Sequence, residues 1–176
     1  MSAAVRVGGA SVLSLWAMLA ALAAQQPSEL PTPPPPAPMI VHGYVYFDSG
    51  SDVAEDDRLR ALRIVVGRLI SQVEEDPGLH HAYVMGMADT VGSSEDNLAL
   101  SRRRALSVAD EAIRLGVDPA RIQVVSCGEA LLNRPTADDV EEPLNRFVLF
   151  DWKVGSPLQS GGVCSLQSYS EARAAS

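Results

Sequence analysis

The sequence reads GMADTVGS at residues 86–93 and, after three further residues, NLALSRRRA at residues 97–105. An apolar run over residues 81–87 ends in the first segment and predicts a strand. The second segment belongs to a helical pattern over about residues 94–115. A strand that enters a polar loop and then a helix is typical of proteins whose strands alternate with helices.

Polar side chains on that helix recur at helical spacing. Asn97, Ser101 and Arg104 stand at i, i+4 and i+7, so they share one face of the helix. Asp89 lies in the preceding loop, near the helix N-terminus. An acid and an arginine can therefore converge on one small site.

These two residue types suit a zwitterionic, amino-acid-like ligand. Arginine offers a fork of donors to a carboxylate, and an aspartate accepts hydrogen bonds from an ammonium or amide group. A structural role is the alternative: Asp89 would cap the helix and Arg104 would pair on its surface. The spacing of the residues is compatible with both interpretations.

The surrounding sequence predicts an α/β two-layer sandwich over residues 40–153. The order is βαβαββ, and the strands form a mixed four-stranded sheet covered by helices. The remaining predicted elements are a strand at 40–47, a helix around 59–73, a strand at 122–127 and a strand at 146–152.

The N-terminus indicates export. Arg6 is followed by an apolar run and then by Ala21-Leu22-Ala23, which together predict a signal peptide over residues 1–23. An uncleaved inner-membrane anchor is the alternative, although the run is short for a span. No cysteine lies near the predicted cleavage site, so no lipoprotein anchor is expected. Residues 24–39 are rich in proline and predict a semi-rigid spacer, and residues 154–176 predict a flexible tail.

Composition limits the partners and the chemistry. The net charge is −8, which disfavours nucleic acid as a partner. Cys127 and Cys164 permit one disulfide in an exported chain, and two unpaired thiols are the alternative. The adjacent histidines at 80–81 would face opposite sides of a strand and could not readily hold one metal ion. No catalytic motif is present, so we expect neither an enzyme nor a cofactor.

The ordered motifs resemble the OmpA-like, peptidoglycan-binding domain family. Its pattern runs Gly-His-Thr-Asp-x-x-Gly, Asn-x-x-Leu-Ser-x-x-Arg-Ala, Gly-Val, Gly-x-Gly-Glu and Asn-Arg-Arg-Val. The residues that match it here are Asp89, Gly92, Asn97, Leu100, Ser101, Arg104, Ala105, Gly116, Val117, Gly128, Glu129, Asn145 and Arg146. The first strand, which ends at Phe47 and Asp48 before a Ser/Gly turn, also resembles that family.

The resemblance implies a ligand, a compartment and site residues. It implies that Asp89 and Arg104 bind the diaminopimelate residue of the peptidoglycan stem peptide, with Asn97 lining the pocket and Asp48 and Arg146 near it. It also implies a place in the periplasm or cell envelope, with other envelope proteins as further partners.

Four residues depart from the pattern. Met87 and Ala88 replace the His and Thr before the aspartate, Phe147 replaces an arginine, and Cys127 stands at a Gly-like position. Fewer polar side chains would then orient the loop. The alternative function is accordingly a periplasmic interaction or structural module with a degenerate pocket.

Overall fold

The first strand shows how the sequence divides the protein into two layers. In β1 (His42–Tyr46), Gly43 and Val45 are buried and the three residues between and beside them are exposed, because successive side chains of a strand point to opposite faces.

The computed structural model describes residues 42–75, 80–154 and 162–176. The predicted signal peptide (1–23) and proline-rich spacer (24–39) lie outside these residues.

Within the described residues, four further strands and three helices follow β1. The strands are β2 (His80–Gly86), β3 (Ile122–Ser126), β4 (Phe147–Val154) and β5 (Ser165–Ser168), and the helices are α1 (Leu59–Glu75), α2 (Ser94–Arg114) and α3 (Tyr169–Ala174). Two short 3-10 turns, Pro119–Arg121 and Pro143–Asn145, precede β3 and β4.

The strands form one mixed sheet in the order β1-β4-β2-β3-β5. β2 and β3 are parallel, and the other three neighbouring pairs are antiparallel. The predicted α/β class and βαβαββ order are confirmed. The prediction of four strands is wrong, because β5 pairs with the free edge of β3.

The fifth strand comes from the segment that the sequence predicts to be a flexible tail. β5 has only four residues, all of them half-buried, and carries no alternating apolar pattern. A disulfide between Cys127 and Cys164 joins the start of this segment to the end of β3. α3 then begins with a capping box formed by Ser168 and Glu171, a local signal that the sequence does contain. Within the described part of this segment, β5 and α3 are therefore held by a long-range bond and a local one together.

The two faces of the sheet carry separate cores. The face under α1 and α2 holds the larger one, with Leu62, Val66, Leu106, Val124 and Phe150 among its members. The outer face holds a smaller cluster of Tyr83, Met87, Val125, Cys127 and Phe147. None of the helices within the described ranges is long and apolar enough to cross a membrane.

A single glycine sets how closely α2 lies on the sheet. A Cβ atom at Gly86, the last residue of β2, would stand 1.9 Å from the carbonyl oxygen of Ser101. No other residue fits there without moving the backbone of the helix. The close packing brings the polar face of α2 to the end of β2, where the predicted site lies.

Candidate ligand-binding site

Three connecting loops meet at one end of the sheet, where β1 and β2 end and β4 begins. Their backbones are joined directly: the N–H of Phe47 donates to the carbonyl of Arg146 at 2.9 Å, and the N–H of Met87 donates to the carbonyl of Phe147 at 2.9 Å. The N–H of Ala88 donates to the carbonyl of Gly128 at 2.8 Å. This set of bonds holds the loop that carries Asp89.

Asp89 pairs with an arginine from the opposite loop. Its Oδ2 lies 2.9 Å from Nη1 of Arg146, and both side chains are less than a tenth exposed. The backbone N–H of Glu142 also approaches Oδ2, at 3.4 Å. Arg146 in turn donates through Nε to the carbonyl of Phe47 at 3.2 Å. A buried carboxylate requires such a partner, because an unpaired charge away from water is costly.

Arg104 is fully buried and ties the loops together. It donates from Nε to the carbonyl of Ser51 at 2.8 Å, from Nη1 to that of Met87 at 3.0 Å and from Nη2 to that of Asp48 at 3.0 Å. Its guanidinium also lies over the ring of Phe47, 5.3 Å from the centroid. These bonds use three of the five N–H donors of an arginine, and they join the loops after β1 and β2 to α2.

The environment of Arg104 changes its acidity. Burial lowers the pKa of Arg104 to about 10; the neighbouring Asp89 opposes this effect and Arg146 adds to it. A guanidinium with that pKa is still a cation at neutral pH. Two positive side chains and one negative side chain therefore share this end of the sheet.

Asn97 lies in the first turn of α2, and its side chain contacts the loop after β3. The helix begins at the N-cap Ser93, and the Asn97 side chain donates from Nδ2 to Glu129 at 2.6 Å. The same carboxylate accepts from the hydroxyl of Ser94. Asn97 thus fixes the loop after β3, and its amide oxygen keeps capacity to accept a further bond.

Gly128 brings that loop against α2. Its N–H donates to the hydroxyl of Ser101 at 2.9 Å. Its φ is +55°, and a Cβ atom there would lie 3.0 Å from the backbone nitrogen of Leu98. Both the positive φ and the close approach favour glycine. Ser101 is therefore a positioning residue beneath the site.

Asp48 differs from the other predicted site residues. Its side chain is 62% exposed and pairs with Arg58 at 2.8 Å, with Oδ1 as the acceptor. Its carbonyl, rather than its carboxylate, contacts Arg104. Asp48 therefore lies at the rim, while Asp89, Asn97, Arg104 and Arg146 are buried beneath it.

Two further polar residues, Thr90 and Asn145, hold the loop before β4, and the sequence pattern singles out only Asn145. Thr90 donates to the carbonyl of Ala137 at 2.7 Å and accepts from the N–H of Val140 at 3.1 Å. Asn145 accepts from the N–H of Arg134 at 2.7 Å and donates to its carbonyl at 2.8 Å. Both side chains hold the long loop before β4. Asn145 matches the family pattern, so the sequence could indicate its importance, whereas nothing in the sequence marks Thr90.

The two unusual residues before Asp89 contribute backbone groups to the site, and the side chain of Met87 lies in the outer cluster. Met87 packs in the outer cluster with Cys127 and Phe147, and Ala88 is fully buried. Their backbone groups keep the bonds that hold the loop, to Phe147, Arg104 and Gly128. The absence of the polar side chains at 87 and 88 therefore leaves the loop anchored. Among the residues that the structure describes, no group of His, Cys, Asp and Glu is placed to hold a metal ion.

Comparison with known proteins agrees with this arrangement. The sequence model of the OmpA family matches residues 46–146, which is more than half of the chain. The chain belongs to the OmpA family. The resemblance predicted from the ordered motifs is thus confirmed. No curated protein sequence gives a significant match.

Solved structures show the same OmpA-like fold. The peptidoglycan-associated lipoprotein from Burkholderia pseudomallei is 27% identical with a TM-score of 0.53, and the match covers 63% of this chain and 90% of that one. The periplasmic domain of Helicobacter pylori MotB is 20% identical with a TM-score of 0.50, and the match covers 66% of this chain and 83% of that one. The OmpA-family match spans all five predicted ligand residues and ends directly before β4.

Proposed function

We propose that this OmpA-family chain binds peptidoglycan non-covalently, through the diaminopimelate residue of the stem peptide. The observation that carries the proposal is the grouping of Asp89 with Arg104 and Arg146 at one end of the sheet. A further support is the 27% identical relative, a peptidoglycan-associated lipoprotein. The proposal places the protein in the periplasm or cell envelope as a binding domain and not as an enzyme.

The chemistry of the ligand suits these three groups. Diaminopimelate carries an ammonium and a carboxylate at its far end, and these would pair with Asp89 and with the arginines. When the ligand binds, the ion pair between Asp89 and Arg146 would be replaced by one bond from the ligand to each of these two residues. The positive charge of Arg104 would attract the ligand carboxylate, and the Asn97 amide would orient the ligand. A hydrogen bond to a charged group contributes about 1.5–3 kcal/mol.

The second candidate function is an interaction or structural module without a ligand. The observation that favours it is that the charged groups satisfy one another. Asp89 already pairs with Arg146, and Arg104 already donates to three backbone carbonyls. In that case the same residues would serve only to join the three loops.

Co-sedimentation of the full chain with diaminopimelate-containing sacculi separates the two functions. We expect the wild type to pellet with the sacculi and Asp89→Asn to lose about tenfold or more in affinity, since a charged contact of that size is worth at least a factor of ten. Arg104→Lys should also weaken binding. Free meso-diaminopimelate should compete, and free lysine should not.

The matched control is Arg103→Gln, which changes an exposed arginine on the same helix that pairs with Asp52. It should bind like the wild type. Thermal unfolding of every variant shows whether it is folded, which matters for Arg104→Lys because that side chain is buried. A wild type that stays in the supernatant, or a folded Asp89→Asn that pellets like the wild type, would overturn the proposal.

A further inference from the structure

Two tyrosines form an exposed row on the edge strand β1. Tyr44 is 44% exposed and Tyr46 is 37% exposed. Their rings are stacked, with an interplanar angle of 21° and a centroid distance of 6.5 Å. Both point to the outer face of the sheet, away from α1 and α2.

The ring of Phe147 holds the two tyrosines in place. It lies 5.6 Å from the ring of Tyr44 and 6.1 Å from that of Tyr46, and it is buried in the outer cluster. We call Tyr44 and Tyr46, with Phe147 beneath them, the tyrosine platform. Because Phe147 supports both rings, a ligand that stacks on them has little side-chain freedom to remove.

The platform is connected to the candidate site through neighbouring residues. Tyr46 pairs directly with Phe147 across β1 and β4. Phe47, the residue directly after β1, exchanges hydrogen bonds with Arg146, which pairs with Asp89. Phe47 and Arg146 therefore link the platform to Asp89 through direct contacts.

The chemistry of the platform differs from that of the site. None of its three side chains carries a charge at neutral pH, and each tyrosine combines an apolar ring face with a hydroxyl. A neutral ligand with flat C–H faces and hydroxyl groups complements such a surface, and sugar rings have this character. The site at Asp89, by contrast, offers charges for a zwitterion.

We infer that the tyrosine platform stacks on sugar rings of the glycan strand whose stem peptide occupies the Asp89 site. The inference rests on the proposed function and adds to it a second, uncharged subsite for the same polymer. The charged subsite recognises the peptide, and the platform recognises the strand to which that peptide is attached.

Two probes separate the subsites: chitotetraose, which has sugar rings and no peptide, and a free stem peptide that contains diaminopimelate. Isothermal titration of the full chain should give weak binding of chitotetraose that falls about tenfold in Tyr44→Ala/Tyr46→Ala. Stem-peptide affinity should be unchanged in that double variant. Asp89→Asn should show the reverse pattern, and Ile64→Ser, an exposed apolar residue on α1, should change neither.

Each outcome decides between the claims. If the wild type binds the stem peptide but not chitotetraose, or if the tyrosine variant binds chitotetraose as well as the wild type, the platform inference is overturned and the proposed function stands. If no stem peptide binds, the proposed function fails. A tyrosine variant that loses self-association on size exclusion, with chitotetraose binding unchanged, would assign the platform to a second copy of the chain and also overturn the inference.

Discussion

The two faces of the sheet differ in how they relate to the family pattern. On the side of the sheet that α1 and α2 cover, residues such as Ser101, Arg104 and Ala105 of α2 follow the pattern, and all three are fully buried. The outer face carries three of the four residues that depart from it. Met87, Cys127 and Phe147 lie in one buried cluster there.

Three of the four residues that depart from the pattern therefore lie in one apolar cluster, and that cluster also contacts the segment that forms β5. Cys164 and Leu166, from the segment that forms β5, pack against the same outer cluster, and Cys164 is bonded to Cys127. Both lie beyond the residues that the OmpA-family model matches. Of the unusual residues, Cys127 is thus bonded directly to the segment that forms this added strand, and Met87 and Phe147 belong to the same apolar cluster.

The largest loss of stability is expected from a substitution of Arg104, which follows the family pattern and lies on the helix-covered side of the sheet. Arg104→Met would leave the carbonyls of Ser51, Met87 and Asp48 without their donor. Since an unsatisfied buried acceptor costs free energy, we expect a loss of about 3–5 kcal/mol in the free energy of unfolding. Urea unfolding followed by circular dichroism measures this loss.

Arg103→Met is the matched control for that substitution. Arg103 is half exposed and pairs with Asp52 on the surface, so its loss should cost less than about 1 kcal/mol. Equal losses in the two variants would show that Arg104 does not hold the loops together.

The next effect is expected on the outer face, at the disulfide. Cys127→Ala/Cys164→Ala opens a link between residues 37 positions apart, which should lower the free energy of unfolding by about 2–4 kcal/mol. Because the bond attaches β5, amide hydrogen exchange in β5 should accelerate far more than in β2 and β4. Uniform acceleration across the sheet would mean that the two faces are not independent.

Much of the fold could be predicted because it depends on local periodicity. Apolar residues at helical spacing predicted α1 and α2, and alternation predicted β1. β5 could not be found in this way, since its four residues have no such pattern and its position depends on a bond to a distant cysteine. Contacts of this kind are decided by packing of the whole chain.

The proximity of Asp89 and Arg104 was predicted, but the partners of their side chains were not. The sequence brought Asp89 and Arg104 to one end of the sheet. It could not show that Asp89 pairs with Arg146, which is 57 positions away, or that Arg104 points to backbone carbonyls. Helical spacing gives the face on which a residue lies, whereas its hydrogen-bond partners depend on loops whose course has no periodic signal.

The smallest expected effect is a pH-dependent contribution to stability from the helical layer, which the outer face should not share. Glu111 of α2 accepts hydrogen bonds from Arg114 and from Arg63 of α1, which lower its pKa from the ordinary 4.5 to about 2. A carboxyl group with a depressed pKa in the folded state stabilises the protein above its unfolded pKa and loses that contribution as the pH falls towards 2. Both arginines are partly exposed, so we expect only about 1–2 kcal/mol.

Urea unfolding of Glu111→Gln and of the wild type at pH 6, 4, 3 and 2 tests this effect. The difference between the two proteins should be largest at pH 6 and should shrink as the pH falls. The loss caused by Cys127→Ala/Cys164→Ala, by contrast, should be the same at pH 6 and pH 3, because a disulfide does not titrate. If the loss from the cysteine variant also changed with pH, the outer face would be coupled to the ion pairs of the helical layer, and the two faces could not be treated as separate units.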